Sequence, residues 1–184
     1  MYVDGSRREP LNQQATMTTP ASHLTEIRAC DPAIEWVNAR KFDSLETAWA
    51  ECERGDWMLW YAGKKSGPVG DERRKRLVLA ACGCARLALP IYEKRYPDDK
   101  RVRDCIETAE KWARNEATLE ALQVSRRNCY ATAAYAADAA YAAYAAYAAY
   151  AVTSAADADA VRTKTLARMA KIVRKHYPTP PRMR

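Results

Sequence analysis

Apolar positions recur along most of this chain every three to four residues, and runs that alternate strictly between apolar and polar are scarce. That period belongs to helices burying one stripe, so the pattern predicts helices throughout and no sheet. Asp31 followed by Pro32 marks a helix start, because an aspartate can cap free N–H groups and a proline is pre-shaped for the first helical position. A short helix from Ala33 to Lys41 is expected there. Ser44 is placed to cap the next one, with Leu45, Ala48, Trp49 and Cys52 on one face and Gly55 ending it. Asp56 then opens a compact aromatic segment, Trp57-Met58-Leu59-Trp60-Tyr61, read as a core wedge or as a stacking surface for a ligand or partner. The span from Ala62 to Gly70, with three glycines, a proline and two lysines, reads as a mobile basic surface loop.

Asp71 is a cap for a long helix from Glu72 to about Tyr92, and Pro97 with Asp98-Asp99 breaks the chain after it. The next helix is expected to run to about Asn115 with Cys105, Ile106, Ala109, Trp112 and Ala113 facing inward. Thr118 caps a further helix, which begins with Leu119 and Leu122 and continues from Ala131 to Val152 as alanine set with tyrosine, broken only by Asp138 among charged residues. Alanine has the best helix propensity, so this stretch needs little packing to form. From Tyr141 the rings fall every third residue, and each such step on an α-helix turns back by roughly 60°, so the rings sweep round about half the helix. Neighbours on more than one side are implied. The architecture expected is therefore an all-α, single-domain helical bundle of about six or seven helices around a long central Ala/Tyr-rich helix. The last helix spans about Ala160 to His176. Residues 1–18 read as a disordered leader, with Met17 as an alternative start, 19–177 as the single all-α domain and 178–184 as a flexible tail.

Composition changes this picture little. A chain of 184 residues with six glycines and one phenylalanine fits a helical domain, and a domain of this size buries about 70% of its unfolded surface. Six cysteines in a chain whose first residues are polar and lack an apolar signal core point to free buried thiols in a reducing cytoplasm. Cys82 and Cys84, two apart on a helix, point about 200° away from each other. The two histidines, His23 and His176, have no ligand-spaced neighbours, so no metal and no cofactor are expected. A membrane span over the tyrosine helix is disfavoured, since a central aspartate alone costs about 2.5–3.5 kcal/mol on insertion scales. Threonine-lined flat faces, as on alanine-rich antifreeze helices, are absent because the rings rotate off any single face. Gly63-Lys64-Lys65-Ser66 fails as a phosphate loop, because Met58 stands where its first glycine should be. No catalytic constellation is visible, and a non-enzymatic protein is expected.

Charge is more informative. Between Val161 and Arg184 stand eight arginines and lysines and no acid, against a total of +7, so the other 160 residues carry a net −1. Lys164, Arg168, Lys171 and Lys175 form one stripe opposite Leu166, Met169, Val173 and Tyr177, which makes a cationic face suited to solvent, to an acidic protein or to nucleic acid. A second cluster is Arg73, Arg74 and Arg76, where cations oppose the positive end of a helix dipole by a few tenths of a kcal/mol each. Such a cluster favours an anion, either an acidic residue of the fold or a ligand. The ligand version takes Arg73, Arg74 and Arg76 as a cradle, Trp57 and Trp60 for stacking and Tyr144 or Tyr147 as a floor, which together would suit a small anionic nucleotide.

The block Arg76-Leu77-Val78-Leu79-Ala80-Ala81-Cys82-Gly83-Cys84-Ala85-Arg86-Leu87-Ala88-Leu89-Pro90, followed by Ile106-Glu107-Thr108-Ala109-Glu110-Lys111-Trp112-Ala113, the Ala/Tyr helix and Ile172-Val173-Arg174-Lys175, resembles alanine-rich proteins labelled putative immunity proteins. Such proteins occur in bacterial polymorphic-toxin loci and in bacteriophage genomes. The resemblance covers roughly Ala48 to Pro178 and implies an all-α fold that neutralises a toxin or defence protein by binding it, as an immunity or counter-defence factor. It carries over no catalytic or ligand residue. Rings swept round an alanine-rich helix exceed what one chain covers, so a homo-oligomer is also expected.

Overall fold

The computed structural model of the chain describes residues 19–130 and 155–182, and among these the backbone forms helices and no strand. They are α1 (Pro20–Glu26), α2 (Asp31–Arg40), α3 (Leu45–Glu51), α4 (Gly55–Lys64), α5 (Glu72–Arg95), α6 (Arg101–Ala113), α7 (Leu119–Tyr130) and α8 (Ala155–His176). By their contacts the residues divide into two compact units, the first ending at Ser44 and the second beginning at Leu45.

In the first unit α1 packs against α2. Thr19 caps α1 through its hydroxyl, which accepts from the Ser22 N–H at 3.2 Å. Asp31, expected as the cap of α2, is instead its first helical residue, and Cys30 holds the cap position without a side-chain bond. The aspartate still sits where its charge complements the helix dipole.

The second unit is organised around α5 and α8. Helix α8 packs on both α4 and α5, α5 also packs on α6, and α6 carries α7. The two thiols of α5 display this arrangement: Cys82 Sγ donates to the Ile106 carbonyl of α6 at 3.8 Å, and Cys84 Sγ to the Met169 carbonyl of α8 at 4.0 Å. One helix thus serves two partners on opposite faces. Burial pushes both thiols up to about 12, so neither is a thiolate at neutral pH. Met58, Leu59, Leu77, Met169 and Val173 fill the α4–α5–α8 side of the core, while Cys82, Leu89, Ile106 and Ala109 fill the α5–α6 side, with Leu122 of α7 resting on it. The inward face expected for α6, from Cys105 to Ala113, is the face observed.

Gly55 does not end α3. It opens α4, and its missing side chain lets α4 and α8 touch: a Cβ there would fall 2.3 Å from Met169 Cβ and 2.5 Å from the Ala170 nitrogen. The loop expected from Ala62 is also shorter, and its start more buried, than its composition predicts. Helix α4 continues through Lys64, and of the residues just after it Lys65 is only 5% exposed and Ser66 only 1%. Ser66 donates its hydroxyl to the Gly63 carbonyl at 2.9 Å, and the Lys65 ammonium lies 5.5 Å from the centre of the Tyr61 ring. The alanine-tyrosine stretch expected at the centre, 131–152, lies outside the described residues; the leading helix α7 exposes Leu119 and Val124. Among the described residues no helix is long and apolar enough to cross a membrane.

Candidate functional site

The cations at the start of α5 are built from one cap outward. Asp71 accepts the Arg73 N–H at 2.8 Å as helix cap, and the same carboxylate takes the Arg73 guanidinium, Nε at 3.1 Å and Nη2 at 2.8 Å. Arg74 turns back onto the loop and donates Nε and Nη2 to the Gly67 carbonyl at 3.1 and 2.8 Å. Two of the three candidate arginines are therefore taken up by the loop that leads into their own helix. Arg76 is exposed and has no carboxylate partner among the described residues; its guanidinium lies 5.8 Å from the centre of the Tyr177 ring.

Tyr177 ties this corner together. Its hydroxyl donates to the Arg73 carbonyl at 3.0 Å, and its own carbonyl accepts the Trp49 indole N–H at 2.9 Å, so the end of α8 is pinned to α5 and α3 at once. Burial pushes the phenol up to about 12, against the pull of Arg76, Arg74 and Arg73. Arg174 completes the pinning from the inner side of α8, donating Nη1 to the Trp49 and Cys52 carbonyls at 3.2 and 2.7 Å, where α3 has run out of its own donors.

Beside this corner lies a cleft of about 480 Å³ lined by Glu72, Lys75, Arg76 and Leu79 of α5, Ala113 of α6, and Lys175, His176 and Pro178 at the end of α8. Lys75 is held in place, its ammonium donating to Glu72 Oε1 and to Asn115 Oδ1, each at 2.6 Å. Glu72 is the single carboxylate on the lining, and it is already engaged by that lysine. Partial burial lowers the His176 imidazole below its ordinary 6.5, and Arg76 and Lys175 push it further the same way. The imidazole is thus neutral at pH 7 and offers a hydrogen bond rather than a charge.

The α8 stripe faces solvent. Lys164, Arg168, Lys171 and Lys175 are all exposed, with Leu166, Met169, Val173 and Tyr177 buried opposite, and none of the four cations makes an ion pair among the described residues. Elsewhere in the unit several arginines are closely paired: Arg86 grips Glu110 at 2.7 Å, Arg103 grips Glu93 at 2.6 Å, and Arg54 grips Asp56 at 2.6 Å.

The structure therefore regroups the candidate residues. Arg76 and Lys175, read from sequence as members of two separate clusters, line one cleft, while Arg73 and Arg74 do not. Trp57 and Trp60 are half-buried on α4, covered by Arg54 at 4.1 Å and Lys64 at 5.2 Å from their ring centres, and neither lines the cleft. Tyr144 and Tyr147 lie outside the described residues. Lys75 and His176 were missing from the candidate set. Helical spacing was the available signal, since 72, 75, 76 and 79 share one face of α5 while 73 and 74 fall off it.

A family model described as Imm-5 like putative immunity protein matches residues 67–175. Comparison with curated proteins and with solved structures returns no match to the chain.

Proposed function

The chain belongs to the Imm-5 like putative immunity protein family, and from that premise we propose that it neutralises a bacterial toxin or defence protein by binding it, without catalysis, through the cationic face of α8. The observation that carries this reading is the row itself: Lys164, Arg168, Lys171 and Lys175 stay exposed and make no ion pair among the described residues, while Arg54, Arg86 and Arg103 of the same unit are held by carboxylates. An acidic partner surface would be steered to such a face and held in register by it. Carried by a bacteriophage, the same interaction is counter-defence.

Co-expression with toxins encoded beside family members, scored by growth rescue, identifies the partner. Binding is then measured for the parent and for the variant with all four stripe residues changed to Gln, at two salt concentrations. At least tenfold weaker binding by the variant, mostly through slower association, is expected; equal binding overturns the role of this face. Nucleic acid is the alternative partner for the same stripe, and would show itself by tight binding to arbitrary duplexes whose affinity falls steeply with salt.

A second reading is sequestration of a small anionic nucleotide signal, which disarms a defence system without touching its proteins. What favours it is that the charges of Arg76 and Lys175 converge on a cleft instead of a flat face.

A further inference from the structure

The cleft between the start of α5 and the ends of α6 and α8 gathers donors of three kinds, a guanidinium, ammonium groups and an imidazole, around one already engaged carboxylate. Each of the two exposed cations is left over for a physical reason. Arg76 stands two residues beyond Arg74, about 200° round the helix, and shares neither Asp71 nor the Gly67 carbonyl with Arg73 and Arg74. Lys175 stands on the outward stripe, on the last turn of α8, two residues before Tyr177, whose hydroxyl bonds the Arg73 carbonyl. The corner is rigidly built by bonds that use neither of them: Tyr177 to Arg73, Trp49 to Tyr177, Lys75 to Asn115. Two positive charges border one cleft whose single lining carboxylate is engaged by Lys75, and such a lining favours an anion.

We propose that this cleft binds a terminal phosphate dianion, with Arg76 and Lys175 supplying the charge, Lys75 and His176 supplying further hydrogen bonds, and Leu79, Ala113 and Pro178 supplying an apolar wall. The volume is within the range of about 300–1,000 Å³ used for small ligands, enough for a mononucleotide. A dianion matches the two free cations, whereas a phosphodiester offers one charge and leaves one cation unpaired. Glu72, Lys75 and Arg76 line the cleft with His176 from α5, Lys175 flanks it on α8 and α6 contributes only Ala113, so burial first, and then the positive charge of Arg76 and Lys175, disfavours the protonated imidazole. A bound dianion reverses that field. This inference rests on the second functional reading only in its choice of a nucleotide; the phosphate site itself does not require it.

The experiment is calorimetric titration of the full chain with inorganic phosphate, AMP and cyclic AMP, for the parent, for R76Q/K175Q in the cleft and for K164Q/R168Q outside it. Circular dichroism confirms that the variants stay folded. In parallel the ring-proton signals of the two histidines are followed against pH, His176 being identified by its loss in H176Q. Expected are saturable one-to-one binding of AMP by the parent, at least fivefold weaker binding of cyclic AMP, at least tenfold loss in R76Q/K175Q, no loss in K164Q/R168Q, and an upward move of the His176 midpoint on adding phosphate. Binding of phosphate without AMP keeps the site and sinks nucleotide sequestration. Nucleotide binding that survives R76Q/K175Q with an unmoved His176 keeps sequestration and overturns this site. No saturable binding of any of the three overturns both.

Discussion

At the start of α5, Arg73 and Arg74 turn onto acceptors of the loop that precedes them, Asp71 and the Gly67 carbonyl, whereas along α8 Lys164, Arg168, Lys171 and Lys175 reach into solvent with no ion pair among the described residues. Both rows are cations on long helices, yet they meet different demands. In the first turn of a helix the dipole is unfavourable to positive charge, so arginines there persist by finding an acceptor within a few residues. The middle of α8 makes no such demand, because its inner face already anchors it through Met169, Ala170 and Val173, all essentially inaccessible to water. Charge that the fold does not use for itself is charge available to a partner. Arg76 belongs with the second group, although it stands beside the first in sequence.

That contrast is open to attack at three points, taken from the largest effect downward. It requires α8 to be held by its inner face, and Gly55→Ala strikes the closest approach there, where the new methyl would meet Met169 and Ala170 backbone atoms that cannot swing aside. A loss of about 3 kcal/mol in denaturant unfolding is expected; a loss below about 1 kcal/mol means the α4–α8 contact is looser than described. Next, Asp71→Ala removes both the cap of α5 and the acceptor of Arg73. The cap dominates, at about 1 kcal/mol, since the Arg73 side chain is 40% exposed and a screened pair of this kind adds only a few tenths. A neutral result would mean that Arg73 does not depend on Asp71, and the distinction between the two rows would fail. Last, changing Lys164, Arg168, Lys171 and Lys175 together to Gln should alter stability by no more than about 0.5 kcal/mol, in the same denaturation measurement. A larger loss would show that the stripe serves the fold after all and would weaken its candidacy as a binding face.

Acidification offers a milder probe of the cleft corner. The folded imidazole of His176 is held below 6.5, so the folded state disfavours protonation there. Its contribution is present above about pH 6.5 and is lost as pH falls from there towards the lowered folded value. H176Q should flatten that part of the stability profile, measured by thermal unfolding between pH 7 and 5.

Sequence alone determined what depends on neighbours within about four residues. The helical character of α2, α3, α5, α6, α7 and α8, the Asp71 cap, the inward face of α6, the amphipathic division of α8 and the opposed thiols of Cys82 and Cys84 all follow from capping chemistry and the 3.6-residue period. Tertiary structure alone decided what depends on residues a hundred positions apart. Gly55 reads locally as a helix end, and only Met169 and Ala170 explain why it opens a helix instead. Lys65 and Ser66 read as a polar surface loop, and packing buried them. That Arg76 shares a cleft with Lys175 depends on Tyr177 reaching back to Arg73 across 104 residues of sequence. Local rules fix the direction a side chain leaves its helix, but the partner it meets there is set by how distant helices cross, and no short-range pattern encodes that crossing.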